Sequence, residues 1–297
     1  MIESEDHPFA LDRATLYVVA TPIGNLRDIT LRALDVLKGV DCIAAEDTRV
    51  SSTLLRRYGI QGKLVALHEH NEREQASRLV SMLADGQSIA LISDAGTPGL
   101  SDPGSIAVAA VRASGYAVVP IPGPSAVAAL MSVVGWPAAS FQFVGFLPAK
   151  GGARRATLQT LSVQRAALVF YEAPHRIVET IDDLVVVFGG ERRVTLGREL
   201  TKRFESIHET TLGALREWIV ADADRQRGEF ALVVEGVAKK TDATLDDDDH
   251  RMLDRLLREL PASRAARVAA DISGKPRDAY YRRALEVRDP GAADDEQ

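Results

Sequence analysis

The chain has 297 residues, 46% of them hydrophobic and 26% charged, which suits two ordinary globular domains with real cores. No apolar run approaches the roughly 20 residues that span a bilayer, and the acidic start MIESEDHPFALDRA lacks the basic-then-apolar pattern of a signal peptide, so residues 1–13 are expected to form a loose leader on a cytoplasmic protein. A net charge of −6 argues against nonspecific coating of nucleic acid, and the single cysteine, Cys42, excludes disulfides and cysteine-rich metal sites within one chain.

Strand-like and helical patterns then alternate. Residues 15–21 are apolar and β-branched and predict a strand; 29–39 predict the helix after it, with Asp28 or Thr30 as its cap. A strand at 40–46 precedes a helix at 48–59, which Thr48 can cap. Further strands are expected at 63–68, 88–93 and 116–122, with helices at 71–86 and 104–115 between them. Short apolar runs bounded by Gly, Pro or Asp read as strands buried on both faces, and their alternation with helices reads as a mainly parallel sheet.

A second half begins near PGPSAVAALMSVVG. Its expected strands are 140–146, 166–172, 192–200, 203–210 and 229–236. Helices are expected at 174–189, with Pro174 in the first turn, and at 211–223. Only one helix separates the last two strands, so this sheet is expected to be mixed. The fold class is therefore α/β, with two lobes at 14–119 and 120–240 and a ligand cleft at the carboxyl ends of the strands.

The final part changes character. Residues 241–249 read as an acidic linker whose four aspartates, Asp246 to Asp249, begin a helix rather than bind a metal. Residues 250–297 read as a small helical tail, with helices near 250–261, 263–274 and 275–287, Ser263 as an N-cap and Gly274 as a terminator. From His250 to Arg288 there are ten Lys or Arg against five Asp or Glu, a local +5 that leaves −11 for the rest. Lys275, Arg277, Tyr280, Tyr281, Arg282 and Arg283 mix cations with aromatics, which suits either RNA contact or a packing module.

Four loops directly after expected strands carry the chemistry: TPIGNLRDIT (21–30), AAEDTRVSS (44–52), SDAGTPGLSDPG (93–104) and PIPGPSAVAAL (120–130). Neither the dinucleotide fingerprint nor the Walker motif is present, so a phosphate loop is not indicated. In the third loop, Asp94 ends a strand where a carboxylate can meet a ligand, whereas Asp102 is placed to cap the next helix. Ser125 and Ala126 are small enough to permit close approach.

The ordered series TPIGNLxDIT, AAEDTR, SDAGTPxxSDPG, PGPSA, GFLP, FYEAPHR and RELTK, over about residues 15 to 240, resembles the tetrapyrrole-methylase-like methyltransferases. Within them it is similar to the 16S ribosomal RNA (cytidine-2′-O)-methyltransferase family. The resemblance implies S-adenosylmethionine bound between the two lobes. Carried over by position, Pro22, Ile23, Asp94, Ala95, Gly96, Thr97, Ser125 and Ala126 would hold it from the first lobe and connector. Phe170, Tyr171, Leu200 and Ala231 would supply walls from the second. It also implies a homodimer acting on a cytidine ribose in the decoding region of the small ribosomal subunit.

The methyl donor is already activated, so no metal is required. A ribose hydroxyl gains from a base, for which Glu46, Asp47, Glu172 and His175 are candidates that the sequence does not separate. RNA phosphate contacts are expected at Arg49, Arg176, Lys202 and Arg203, on a mobile basic loop carrying Lys150, Arg154 and Arg155, and in the tail at Lys275 and Arg282. The rival readings are a methyltransferase of the same fold acting on a tetrapyrrole or a protein side chain, and a noncatalytic RNA-binding assembly factor.

Overall fold

The structure, a computed structural model, describes residues 10–237 and 245–288. Most of the expected leader, the start of the linker and the end of the tail lie outside the described residues. Those described divide into two compact units, one up to Ser162 and from Ala166 to Glu235, the other mainly from Gly236 onward.

The larger unit holds two sheets. The first contains β1 (Thr15–Val19), β2 (Cys42–Ala45), β3 (Lys63–Ala66), β4 (Ile89–Ile92) and β5 (Ala117–Ile121), all parallel, in the order β3-β2-β4-β1-β5. It alternates with α1 (Leu31–Gly39), α2 (Thr48–Arg57), α3 (Glu72–Ala84) and α4 (Ser105–Ala113). Successive strand residues face opposite sides, and each side has its own core. Tyr17, Ile43, Ala90 and Ile92 meet Val36, Leu37 and Leu54, whereas Leu16, Cys42, Ile89 and Leu91 meet Leu79, Leu83 and Val111. Each fully buried Leu or Ile stabilises the fold by about 1.5–3 kcal/mol relative to exposure. Burial on both faces explains why β2 and β4 are uniformly apolar.

The strand order fixes where a ligand can bind. The chain leaves β1 through α1 toward β2, but leaves β4 through α4 toward β5 on the opposite side. Adjacent strands β1 and β4 therefore send their connections apart and open a crevice at their carboxyl ends.

The second sheet has the order β6-β7-β10-β8-β9 and is mixed, as the spacing predicts. Its strands are β6 (Phe141–Phe146), β7 (Ala167–Glu172), β8 (Arg193–Arg198), β9 (Ser206–Thr211) and β10 (Phe230–Val234), and of the neighbouring pairs only β6–β7 is parallel. One face packs on α6 (Gly151–Leu161), α7 (Ile177–Phe188) and α8 (Leu212–Val220) through Leu158, Ile181, Leu184, Leu215 and Ile219. The other face meets Val127 and Leu130 of α5 (Ala126–Met131), together with Trp136.

Several local expectations are corrected. The supposed mobile loop at Lys150 to Arg155 is the start of α6. Arg154 is buried, its Nε 2.6 Å from Asp183 Oδ2, and Arg155 Nη1 lies 2.9 Å from Asp183 Oδ1. A buried carboxylate on α7 needs those cations, so they clamp two helices together. Pro174 lies before its helix, which starts at Ile177. Asp47, not Thr48, caps α2, its carboxylate accepting from Arg49 N–H at 2.8 Å, and Thr30 caps α1. Asp102 does not cap α4. Glu72 does, accepting from Gly104 and Ile106 N–H at 2.8 Å and from Ala107 N–H at 3.3 Å.

The smaller unit is three helices: α9 (Asp247–Glu259), α10 (Ala262–Ser273) and α11 (Arg277–Arg288). Asp246 caps α9 in a reciprocal pair with Asp249, and Gly274 ends α10 in the left-handed region with φ 72°. Ser263 lies inside the first turn of α10 and accepts from Arg277 instead of capping. The packing alternative for the tail aromatics holds for Tyr280, which is fully buried and donates its hydroxyl to Asp249. Lys275 is also buried, its ammonium held between Asp246, at 3.0 Å, and Asp249. It serves as an internal counter-ion, not as the surface RNA contact expected for it.

Hydrogen bonding to Asp249 pushes the Lys275 ammonium up to about 12. Burial acts to raise the Asp249 carboxyl, but the bonds from Lys275 and Tyr280 outweigh it and hold the group low. The pair's stabilisation is therefore present above the ordinary carboxylate range and fades as pH falls through the depressed Asp249 value. At the alkaline end it is lost as pH rises through about 12. Lys275→Ala leaves Asp249 buried without its cation and should destabilise the tail by about 3–5 kcal/mol. Amide hydrogen exchange over α9–α11 measures this; unchanged protection would contradict the assignment.

Candidate active site

The crevice between β1 and β4 is closed at its base by backbone. Thr21 N–H donates to Gly96 O at 2.8 Å and Gly96 N–H donates to Thr21 O at 3.1 Å. The Thr21 hydroxyl reaches Ser93 O at 3.0 Å. Gly96 has φ +83°, a conformation costly for other residues, and a Cβ there would stand 3.4 Å from Ile23. The loops after β1 and β4 are thus stitched into one shelf. Gly145, in the bulge of β6, brings the second lobe close to it: an added Cβ would lie 2.8 Å from Ser101 Oγ.

Above the shelf lies a cavity of about 360 Å³. Ile23, Ala95, Gly96, Thr97, Ser125 and Ala126 line it from the first lobe and connector. Tyr171, Leu200 and Ala231 line it from the second. The structure thus brings together nine of the twelve residues expected around a cofactor.

The other three lie elsewhere. Pro22, within the first loop, is buried and outside the lining. Asp94 is exposed outside the lining, its carboxylate accepting from Asp47 N–H at 3.0 Å and so joining the second and third loops. Phe170 belongs to the core with Leu168, Leu196 and Leu232. Strand periodicity explains this: Tyr171 and Ala231 are register partners facing the cavity, so Phe170 must point the other way.

The candidate bases are scattered. Glu172 lines the cavity, yet its side chain is buried and committed. It accepts from Ala173 N–H at 2.8 Å, Thr180 Oγ1 at 2.6 Å and Arg176 Nη2 at 3.2 Å. Arg176 also donates to Leu147 O at 2.6 Å, so it joins the ends of β6 and β7 and is not free for RNA. Asp47 is forked by Arg49, at 3.1 and 2.6 Å, which holds its carboxyl at about 2. Burial raises the Glu46 carboxyl, while an N–H bond from Asp94 works against the rise. Glu46 and His175 stand outside the lining, and His175 is exposed.

The sequence pattern did not place Asp102 in the site. It lines the cavity together with the shelf residues and Tyr171. Burial, then the nearby Glu46 charge, pushes its carboxyl up to about 6; the Ser93 hydroxyl bond opposes this and Asp94 adds to it. The signal was indirect: Glu72 in the first turn of α3 already satisfies the N-terminus of α4, which releases Asp102 from capping. Leu100 and Phe146 complete the apolar wall.

A second, open groove of about 750 Å³ is lined by Gly24 to Arg27, Arg57, Tyr58 and Thr201 to Arg203. It collects the expected Lys202 and Arg203 and adds Arg27 and Arg57. Lys202 Nζ sits 2.9 Å from both Glu199 and Glu229, while the Arg203 guanidinium lies over Phe204. Arg49, Lys150 and Arg282 are exposed.

Residues 15–216 match the Tetrapyrrole (Corrin/Porphyrin) Methylases family, and residues 243–288 match the RsmI C-terminal HTH domain. The chain is 48% identical over 277 residues to the Ribosomal RNA small subunit methyltransferase I of Pseudomonas aeruginosa, covering 93% of this chain and 98% of that one. It is 48% identical over 280 residues to the protein of the same name from Mesorhizobium japonicum, covering 94% of each. Among solved structures, the uroporphyrin-III C-methyltransferase of Thermus thermophilus superposes with a TM-score of 0.52 at 21% identity, over 75% of this chain and 94% of that one. Diphthine synthase gives 0.55 at 15% identity, over 74% and 90%.

The Asp102 environment has a measurable consequence. Between about pH 4 and 6 the folded protein holds a proton that the unfolded chain has lost, so stability falls as pH rises through that window. Asp102→Asn should raise stability near neutral pH by about 1 kcal/mol once solvent screening is allowed for, with the gain shrinking as pH falls below 6. Thermal denaturation across that range measures it; a variant less stable than the parent at neutral pH would contradict the stated environment.

Proposed function

Because the chain belongs to the small-subunit ribosomal RNA methyltransferase I family within the tetrapyrrole methylases, we propose that it transfers a methyl group from S-adenosylmethionine to the ribose 2′-hydroxyl of a cytidine in the decoding region of 16S ribosomal RNA. The observation that carries the chemistry is the cavity at the strand switch point, beside a basic groove.

The cavity suits this cofactor, which has an adenine, a ribose diol, an amino-acid end and no phosphate. Among the described residues no Lys or Arg lines it. The Ala95–Thr97 backbone and the Ser125 hydroxyl offer hydrogen-bonding groups, while Ile23, Leu100, Phe146 and Leu200 offer apolar contact. Its volume lies in the range of small-molecule sites. When bound, the cofactor supplies a sulfonium-activated methyl group. The protein's part is to exclude water, hold the ribose hydroxyl in line and accept its proton; orientation alone is worth up to about 7–11 kcal/mol in such reactions.

The wider reading assigns RNA backbone contacts to Arg49, Lys150, Lys202 and Arg203 and, in the tail, to Arg282. It keeps Asp94 at the edge of the cofactor site and extends to a homodimer in the cytoplasm. Cations that neutralise phosphates make such binding salt-dependent.

Purified protein given labelled S-adenosylmethionine should label small subunits or their RNA at a ribose, and leave a tetrapyrrole precursor unlabelled. Nucleoside mass spectrometry reads the position; label on a base, or on the tetrapyrrole alone, would contradict the proposal. Ala126→Trp fills the cavity from the first residue of α5 and should weaken cofactor binding by at least about tenfold, or roughly 1.4 kcal/mol. Calorimetry measures this; unchanged affinity would move the cofactor elsewhere.

A further inference from the structure

We infer that the open groove beside the cavity is the seat of single-stranded RNA next to the methylated nucleotide. Arg27, Arg57 and Arg203 hold its phosphates, and Phe204 is a stacking platform for one of its bases. The inference deepens the methyl-transfer reading above and rests on it.

Free positive charge marks the groove. Other cations around the site are engaged by carboxylates: Arg49 by Asp47, Arg154 by Asp183 and Arg176 by Glu172. Among the described residues the groove is lined by four cations and no Asp or Glu. One of the four, Lys202, is already shared between Glu199 and Glu229. Arg27, Arg57 and Arg203 are exposed and form no ion pair among the described residues. Arg57 stands in the last turn of α2, where a cation gains from the helix dipole. Its neighbour Arg56 serves that end, donating to Ser52 O at 3.2 Å, whereas Arg57 lines the groove. Arg27 is presented by a single 3-10 turn, Leu26–Asp28, which Asn25 caps.

The walls of the groove are fixed. The Tyr58 hydroxyl donates to Leu26 O at 2.5 Å, and Asn25 N–H donates to Thr201 Oγ1 at 3.0 Å. A Cβ on Gly24 would lie 2.5 Å from Lys202 Cγ and 2.9 Å from Thr201 Oγ1, so the lobes touch here. Glu199 and Thr201 have φ of 52° and 66°, a left-handed conformation uncommon outside glycine. Such strain persists only where its surroundings hold it. Here Thr201 N–H donates to Glu205, and Lys202 Nζ lies 2.9 Å from Glu199. The strained turn gives Leu200 to the cavity and Thr201 to the groove. The first loop does the same with Ile23 and Gly24. Two segments thus pass from one wall to the other within a single residue. A strand whose ribose reaches the cavity has its neighbouring phosphates beside the arginines.

Phe204 selects the kind of strand. Its side chain is 65% exposed, and the Arg203 guanidinium lies 5.6 Å from the ring centroid. An open aromatic face next to free cations suits an unstacked base and its phosphate. Duplex RNA keeps its bases stacked inside and has no use for the ring.

The test uses the full-length protein and a fluorescent single-stranded oligocytidine RNA of about ten nucleotides, with anisotropy read at increasing salt. Arg27→Ala with Arg57→Ala should weaken binding about tenfold at low salt. The same pair should reduce the slope of log affinity against log salt by about 1.4, or about 0.7 for each lost phosphate contact. Arg27→Lys with Arg57→Lys keeps the charge and should restore the slope, which a merely structural role would not. Phe204→Ala should weaken binding about tenfold with the slope unchanged. Arg78→Ala, which removes an exposed cation from α3, should change neither. An alanine pair with the parent's affinity and slope overturns the phosphate contacts, and so does an equal loss in Arg78→Ala. Phe204→Ala with the parent's affinity overturns the platform. Duplex RNA or polyglutamate that displaces the probe better than unlabelled oligocytidine overturns the choice of occupant. A parent protein that does not bind the probe at low salt overturns the groove as a whole. Ribose labelling is read separately: its absence in the parent overturns methyl transfer itself, whereas the binding outcomes above overturn only the groove.

Discussion

The pair of backbone hydrogen bonds between Thr21 and Gly96 is the constraint on which the site depends. Parallel strands with opposite-going connections leave a crevice, but a crevice between two independent loops would be only loosely shaped. Joining the loops makes a single shelf along one side of the cavity. Gly96 is required there because the chain turns through positive φ while passing Ile23. The second lobe then needs only to lower Tyr171, Leu200 and Ala231 over the shelf.

Charge is distributed around this shelf with a division of labour. Carboxylates that hold structure are paired: Glu172 with Arg176, Asp183 with Arg154 and Arg155, Asp47 with Arg49 and Asp249 with Lys275. Such pairing occupies their oxygens and removes them from chemistry. Asp102 has no such partner among the described residues and is raised instead. Pairing on one side and burial without a cation on the other thus set chemically similar groups in opposite environments.

Much of the fold was legible because its signals are local. Short apolar runs of four or five residues mark most strands of the first sheet. The ordered loops pointed to the cavity, and most of their residues line it. What was not legible depends on pairing across distance. Nothing near Arg154 in sequence shows that Asp183 waits on α7, so a helix clamp read as a basic loop. Lys275 looked like a surface cation because Asp246 and Asp249 lie more than twenty residues earlier. Asp102 looked like a cap because Glu72, thirty residues away, does that work. Phe170 was misplaced by one step of strand alternation, which cannot be phased until the facing strand is known.

The most direct measurement of the central claim is a crystal structure of the protein with S-adenosylhomocysteine. The ligand is expected on the Ala95–Thr97 backbone, under Tyr171 and Leu200. A ligand bound in the basic groove beside Arg27 and Arg57 would contradict this.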